Sequence, residues 1–315
     1  MKVKFTLSAA GAIAALCADV LIANRLRNEA FARHAAAADL SDSGEPQENN
    51  LLMRTRLRGD AWMRGTSHNR WLVRSKDNVE LTGYHFPAAN ESRICVLLVH
   101  GHGGSSEDLG EIASQYHDHG FDVLMVDGRG HGRSGGNYSA LGWLEMQDCT
   151  IWIDRIIEHL GDGAVIILHG ISMGANVILN AAGDGLPSEV RAVIADSAFT
   201  SIREILTYRL HKHNLPAMPI LITADILNIF GERHQIFRAD TRKRVARSSI
   251  PLLFIHSKAD CQNPPWMSEQ LYAQATSYKE IWITGNAPHG MLAVTDQDAY
   301  MNRVFGFIQR ALASC

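Results

Sequence analysis

A mixed α/β fold with a largely parallel sheet is what this sequence predicts, and three observations carry that expectation. From Ile94 onward, short apolar runs alternate with longer helix-patterned runs, the rhythm of crossover units in a parallel sheet. The pentapeptide Gly170-Ile171-Ser172-Met173-Gly174 sits between one such apolar run and a helix-like run. Asp260 and His289 then follow in that order, each just past a later strand-like run.

Taken from the N-terminus, Met1 to Ala23 opens with Lys2 and Lys4 and continues through an apolar, Ala-rich stretch interrupted by Asp19. This composition reads as a targeting segment or an anchor. As a secretory signal it lacks a clean A-x-A cleavage site. As a membrane helix, Phe5 to Ala23 has the needed length, with Asp19 close to its end. A soluble docking helix is the third reading. Glu29 to Leu40 is Ala-rich and helix-like, whereas Ser41 to Asn50 has linker composition, so residues 1–50 are expected to precede a folded domain spanning 51–315.

Trp71 to Arg74 and Val79 to Phe86 predict an antiparallel hairpin turned through Asp77-Asn78 at a sheet edge. Parallel strands are expected at Ile94 to His100, Asp122 to Val126, Val165 to His169, Ala192 to Ala195, Leu252 to His256 and Glu280 to Thr284. Helices are expected between them at Ser106 to His119, Trp143 to Leu160, Ala175 to Ala182 and Trp266 to Ala275, with Tyr300 to Ala313 closing the chain. The rhythm breaks from Phe199 to Ser249, which reads as an insertion of two helices separated by Pro216 and Pro219. The second, Ile220 to Phe230, is apolar on most faces and must bury them, either as a cap over a site or against the core.

Composition narrows the function classes. With 30 basic and 33 acidic residues the net charge is -3, which suggests neither nucleic acid nor an anionic surface as partner. Five scattered cysteines show no C-x-x-C spacing. Fifteen histidines include three H-x-H pairs, at His100/His102, His117/His119 and His211/His213, but only the first follows a strand directly, and no further Asp and His complete a di-metal set. No metal and no cofactor is expected. The Gly-rich stretch Asp127 to Gly135 lacks the G-K-[ST] ending of a phosphate loop and reads as a structural turn.

The chemistry centres on Ser172. In a G-x-S-x-G turn the serine leaves a strand and enters a helix within one residue, and the flanking glycines remove Cβ atoms that would collide. A base and an orienting acid must then come after it in the order acid, histidine. Asp260 and His289 supply these roles, with Asp196 at the end of Ala192 to Ala195 as the competing acid. Two N–H donors must face the oxyanion of a tetrahedral intermediate. Met173, opening a helix, supplies one; the second is assigned to the backbone of His102 in His100-Gly101-His102-Gly103-Gly104.

These stretches, with the hairpin, the strand end Val193 to Ser197 and Pro264, resemble the α/β-hydrolase superfamily, and within it the serine aminopeptidase and acylaminoacyl-peptidase-like group of membrane-anchored or exported bacterial hydrolases. The likeness runs from about Arg70 to the C-terminus. It implies an eight-stranded, mostly parallel sheet, a cap after the sixth strand and hydrolysis without cofactor. Ser257-Lys258 in the turn after the acid strand and Cys261 beside Asp260 depart from the usual pattern. The expected function is a serine hydrolase acting through an acyl-enzyme on an ester with a fairly apolar acyl group. Peptidase or amidase action is the alternative, and a non-catalytic module at a membrane a third reading. A small-molecule ester or peptide is the expected partner, and the N-terminal segment makes a membrane-anchored or exported protein the expectation, with a cytoplasmic one as alternative.

Overall fold

The computed structural model describes residues 9–33, 46–230 and 235–313. Its elements are α1 (Ala9–Phe31), α2 (Pro46–Gly65), β1 (Asn69–Arg74), β2 (Glu80–Phe86), β3 (Ile94–Val99), α3 (Gly110–Asp118), β4 (Asp122–Val126), α4 (Glu145–Leu160), β5 (Val165–Ile171), α5 (Met173–Ala182) and β6 (Val190–Asp196). Then follow α6 (Ile202–Lys212), α7 (Ala217–Phe230), α8 (Thr241–Val245), β7 (Leu252–Ser257), α9 (Trp266–Gln274), β8 (Lys279–Thr284), α10 (Leu292–Thr295) and α11 (Gln297–Ala313).

The eight strands form one sheet in the order β1-β2-β4-β3-β5-β6-β7-β8. The edge hairpin pairs antiparallel, as does β2 with β4, and every later pair is parallel. Strands β4 and β7 are buried at every residue, which is why Val123 to Val126 and Leu252 to Ile255 read as unbroken apolar runs rather than alternating ones. Alternation is still visible in what each side chain meets. Cys95, Leu97 and Val99 of β3 join one apolar layer with α4, α5 and α9, while Val96 and Leu98 join the opposite layer with α3 and α11. Leaving β3, the chain goes first to β4 on one side and then to β5 on the other. The crevice at the carboxyl ends of β3 and β5 is therefore the topological switch point where such sheets gather ligands.

The insertion between β6 and β7 is the cap. Helix α6 starts where the Ser201 hydroxyl accepts the Glu204 N–H at 3.1 Å, a local cap readable in Ser-x-x-Glu. Pro219, expected to separate two helices, instead lies within the first turn of α7, where its missing N–H has no intrahelical partner to lose.

The N-terminal region is tied into this cap. Ala23, Ala30 and Phe31 of α1 are buried in one apolar cluster with Phe199, Ile205, Leu206, Ile220 and Leu221, and the Met173 side chain reaches the same cluster. Asp19, which would be costly in hydrocarbon, accepts the Thr223 hydroxyl of α7 at 2.5 Å. Arg33 donates to the carbonyls of Gly132, Ser134 and Gly136 at 2.8 to 3.0 Å, and the Phe31 carbonyl accepts the Ser139 N–H at 2.7 Å. Of the expected helix Glu29 to Leu40, residues 29–31 are the last turn of α1 and 34–40 lie outside the described residues. Of the expected linker 41–50, residues 46–50 open α2 and the rest lie outside as well. Among the described residues no helix is long and apolar enough to cross a membrane.

Phe31 is 1% exposed. Truncating it in Phe31→Ala is expected to lower unfolding stability by about 3 to 5 kcal/mol, the usual range for a buried Phe. Urea denaturation followed by far-UV circular dichroism measures this, and a loss under about 1 kcal/mol would mean that the α1 junction contributes little to the fold.

Candidate active site

Strand β5 ends at Ile171 and α5 begins at Met173, so the whole turn is Ser172, at φ 55° and ψ -115°. A non-glycine residue with φ in this region stores on the order of 1 to 3 kcal/mol and persists only where its surroundings fix it. The Ser172 N–H donates to the Asp196 carbonyl of β6 at 2.8 Å, and its own carbonyl accepts the Asn176 N–H at 3.2 Å. Both glycines of the pentapeptide are required by contact. A Cβ on Gly170 would stand 2.3 Å from the Gly174 carbonyl oxygen, and one on Gly174 would stand 2.1 Å from that of Val99.

Ser172, Asp260 and His289 come together as a continuous hydrogen-bonded chain. His289 Nε2 lies 2.8 Å from Ser172 Oγ, and His289 Nδ1 lies 2.6 Å from Asp260 Oδ2. A carboxylate only accepts, so Nδ1 carries the proton and Nε2 is left to accept from the serine hydroxyl. Asp260 is buried, and burial alone would raise its pKa. Electrostatic attraction to His289, hydrogen bonds from His256 and His289 and attraction to His256 together outweigh that and hold the carboxyl well below the usual range. Its Oδ1 also accepts the N–H groups of Gln262 and Asn263 at 3.0 and 2.9 Å.

His256 was not anticipated. Its Nε2 lies 3.1 Å from the same Asp260 Oδ2 that meets His289 and 2.8 Å from the Asn263 carbonyl, while Nδ1 lies 2.7 Å from the Ser268 hydroxyl. Asp260 thus serves two imidazoles. The four-residue spacing His256 to Asp260 across the end of β7 was the available signal. Ser257, the departure from the usual turn, donates to the Ala287 carbonyl at 2.6 Å and so ties the acid loop to the histidine loop.

Asp196, the competing acid, is hydrogen-bonded to other groups than His289. It accepts the Ser197 and Tyr300 hydroxyls at 2.8 and 3.0 Å, and burial raises its pKa. Tyr300 oxygen then accepts from His169 Nε2 at 2.9 Å, which leaves His169 Nδ1 to accept the Tyr116 hydroxyl at 2.9 Å. Burial lowers the His169 pKa to about 3, so this chain beneath the serine is neutral at its imidazole.

The loop after β3 lies against the serine turn, since a Cβ on Gly101 would be 3.4 Å from Ser172 Cβ. His102 and Ser172 line the same cavity, and Met173 is the first residue of α5, which begins immediately after the serine. Two neighbouring histidines brace the loop. His131 Nε2 accepts the Gly103 N–H at 3.2 Å while Nδ1 donates to the Arg129 carbonyl at 2.9 Å, and His100 Nε2 accepts the Gly128 N–H at 3.0 Å. Burial, then His100 and His102, lower the His131 pKa to about 3. Protonation would turn Nε2 into a donor facing another donor.

A cavity of about 160 Å³ opens beside Ser172. Its apolar lining comes from Leu52, Leu109, Ile112, Ile171, Met291 and Val294, and the cap contributes Arg209 of α6. Helix α2 supplies Leu52, Thr55 and Arg56, a wall that the sequence pattern did not reveal. Arg56 pairs with Asp108 through Nε and, at 3.1 Å, through Nη2, and Asp108 accepts the Ser105 N–H at 3.0 Å. Glu111 in the same lining pairs with Arg58. Among the described residues the one group with metal-ligating composition is His85, Asp122 and His159. It sits at the start of β4, at the opposite end of the parallel strands from Ser172, where His85 and Asp122 already bond at 3.0 Å and Trp71 stacks on His85.

Residues 90–228 match the family described as serine aminopeptidase, S33. The structure superposes on an esterase of Pyrococcus furiosus with a TM-score of 0.64, at 21% identity, covering 78% of this chain and 92% of that one. It has the α/β-hydrolase fold. The chain also superposes on an acylaminoacyl peptidase of Pyrococcus horikoshii with a TM-score of 0.56, at 18% identity, covering 77% of this chain and 41% of that one. In sequence it is 28% identical over 239 residues to YqkD of Bacillus subtilis strain 168, an uncharacterised protein, covering 76% of this chain and 78% of the relative. The eight-stranded sheet and the cap after the sixth strand agree with what the sequence predicted.

A histidine with its pKa depressed in the fold stabilises the protein above the unfolded pKa and ceases to do so as pH falls toward the folded value. For His131 the window runs from about 6.5 down to about 3. Replacing it in His131→Gln is expected to make the stability difference between pH 7 and pH 5 smaller by about 2 kcal/mol, from 1.36 kcal/mol per unit below the unfolded pKa. Urea denaturation at the two pH values tests this; an unchanged difference would show that His131 is not held neutral.

Proposed function

We propose that this α/β-hydrolase is a serine esterase that cleaves carboxylic esters of fairly apolar acyl groups through an acyl-enzyme. The observation that carries the reading is the unbroken chain from Ser172 Oγ through His289 to Asp260. As Ser172 attacks the ester carbonyl, its proton passes to His289 Nε2, and the imidazolium formed is stabilised by the Asp260 carboxylate at Nδ1. The N–H groups of Met173 and His102 stabilise the oxyanion. Collapse expels the alcohol, which takes the proton from Nε2. A water deprotonated by the same nitrogen then attacks the acyl-enzyme, and the acid leaves with Ser172 regenerated.

The apolar lining of the cavity supports an alkyl acyl group. Peptidase action is the second reading, favoured by the match to a serine aminopeptidase family. An aminopeptidase must hold a substrate ammonium, which calls for an unpaired carboxylate. Both acids of this cavity, Asp108 and Glu111, are paired with arginines, which supports an uncharged acyl group over a free amino terminus.

Ser172→Ala is expected to lower kcat/KM on p-nitrophenyl esters by at least about 10⁴-fold and to abolish fluorophosphonate labelling, with Asp260→Asn falling by about 10⁴-fold. Labelling that survives in Ser172→Ala would remove the serine from its role. Short and medium p-nitrophenyl esters should be turned over in preference to aminoacyl-p-nitroanilides; turnover of the anilides alone would replace esterase by aminopeptidase.

A further inference from the structure

The cap helix α7 presents an unresolved economy of apolar surface. Its inner face buries Ala217, Ile220, Leu221 and Ala224 against α1 and α6. Its outer face leaves Ile222 and Ile226 about half exposed and Phe230 84% exposed. None of these residues lines the cavity beside Ser172, so substrate does not cover them. A stripe spaced by four residues along one helix is a coherent face rather than scattered exposure.

Helix α1 adds to it. Thr223 of α7 bonds Asp19 of α1, so the two helices lie side by side. Leu16, Val20 and Leu21 are exposed on α1, and from Ala14 to Ala18 every residue is exposed, with no polar side chain apart from the Cys17 thiol. Ahead of α1 the sequence carries Phe5 and Leu7 with Lys2 and Lys4.

We infer that the outer face of α7 and the exposed residues of α1 between Ala14 and Leu21 together seat the protein on a lipid surface, lying in the interface rather than crossing it. A protein partner covers one side of a helix. An apolar helix segment exposed on all sides needs a medium that wets every side, and acyl chains at a bilayer boundary provide it. The Asp19 carboxylate is turned to Thr223 of the cap, which keeps it out of that medium. The inference concerns where the protein sits and is independent of the esterase reading.

The test uses the full chain carrying Ser172→Ala, so that no lipid hydrolysis intervenes, in sedimentation with vesicles of phosphatidylcholine and phosphatidylglycerol. Binding is expected, and Ile222→Glu with Ile226→Glu should weaken the partition coefficient roughly tenfold or more, as expected for two buried isoleucines. Phe230→Ser, altering the most exposed side chain, should weaken it in the same direction while leaving far-UV circular dichroism and thermal unfolding unchanged. In the wild-type serine background, hydrolysis of a soluble ester should be unaffected by either change. Failure of the full chain to bind, or undiminished binding by both α7 variants, overturns the proposal. So does a dimer in light scattering that the α7 variants dissociate, since a second copy would then be what covers the face.

Discussion

The backbone of Ser172 stands at a positive φ that a serine adopts only under constraint, and much of the molecule is arranged to keep it there. The constraint is delivered by close packing of main chain: Val99 against Gly174, Gly170 against Gly174, and the Asp196 carbonyl on the Ser172 N–H. Three adjacent parallel strands are needed to supply those groups, so the central sheet is the instrument that strains the turn. Asp196 is then fixed from its side chain by Tyr300 of α11, and Tyr300 by His169 of β5, so a buried polar chain returns to the strand from which it began. Every hydrogen in that chain has an acceptor, which is what allows it to sit in an apolar interior.

Histidine plays three different parts within this site, separated by what each ring nitrogen meets. His289 faces a hydroxyl on one side and a carboxylate on the other, so gaining a proton at Nε2 is compensated. His131 faces an N–H donor with one nitrogen, and the same gain would set donor against donor. His256 shares the carboxylate of His289 from within the core and holds it in place through the Asn263 carbonyl and Ser268. Identical side chains are thereby sorted into a link between Ser172 and Asp260, a brace for the loop and a second partner for the Asp260 carboxylate.

The hydrogen-bonded grouping of Ser172, His289 and Asp260 and the strand order were legible because the signals are local or ordinal: a strand, a tight turn and a helix around Ser172, then an acid and a histidine after later strands. Buried strands such as β7 announce themselves by apolar composition alone. The wall formed by α2 was not legible, because Leu52, Thr55 and Arg56 belong to a polar, Arg-rich stretch whose role depends on docking against α3. The apolar sequence of α7 suggested a cover over the catalytic crevice, yet its outer face meets none of that crevice, since apolarity shows that a surface must be covered without showing what covers it. The Asp19 partner was equally invisible, since Thr223 lies some two hundred residues away along the chain.

Because Arg56 holds the loop after β3 through Asp108, the chain ahead of the sheet is mechanically joined to the loop that faces Ser172. Here a segment ahead of the sheet forms both a side of the cavity beside Ser172 and a clamp on the loop. Two proteins with the same sheet and the same three reacting side chains can thus acquire different appetites by exchanging a single helix that contains none of them.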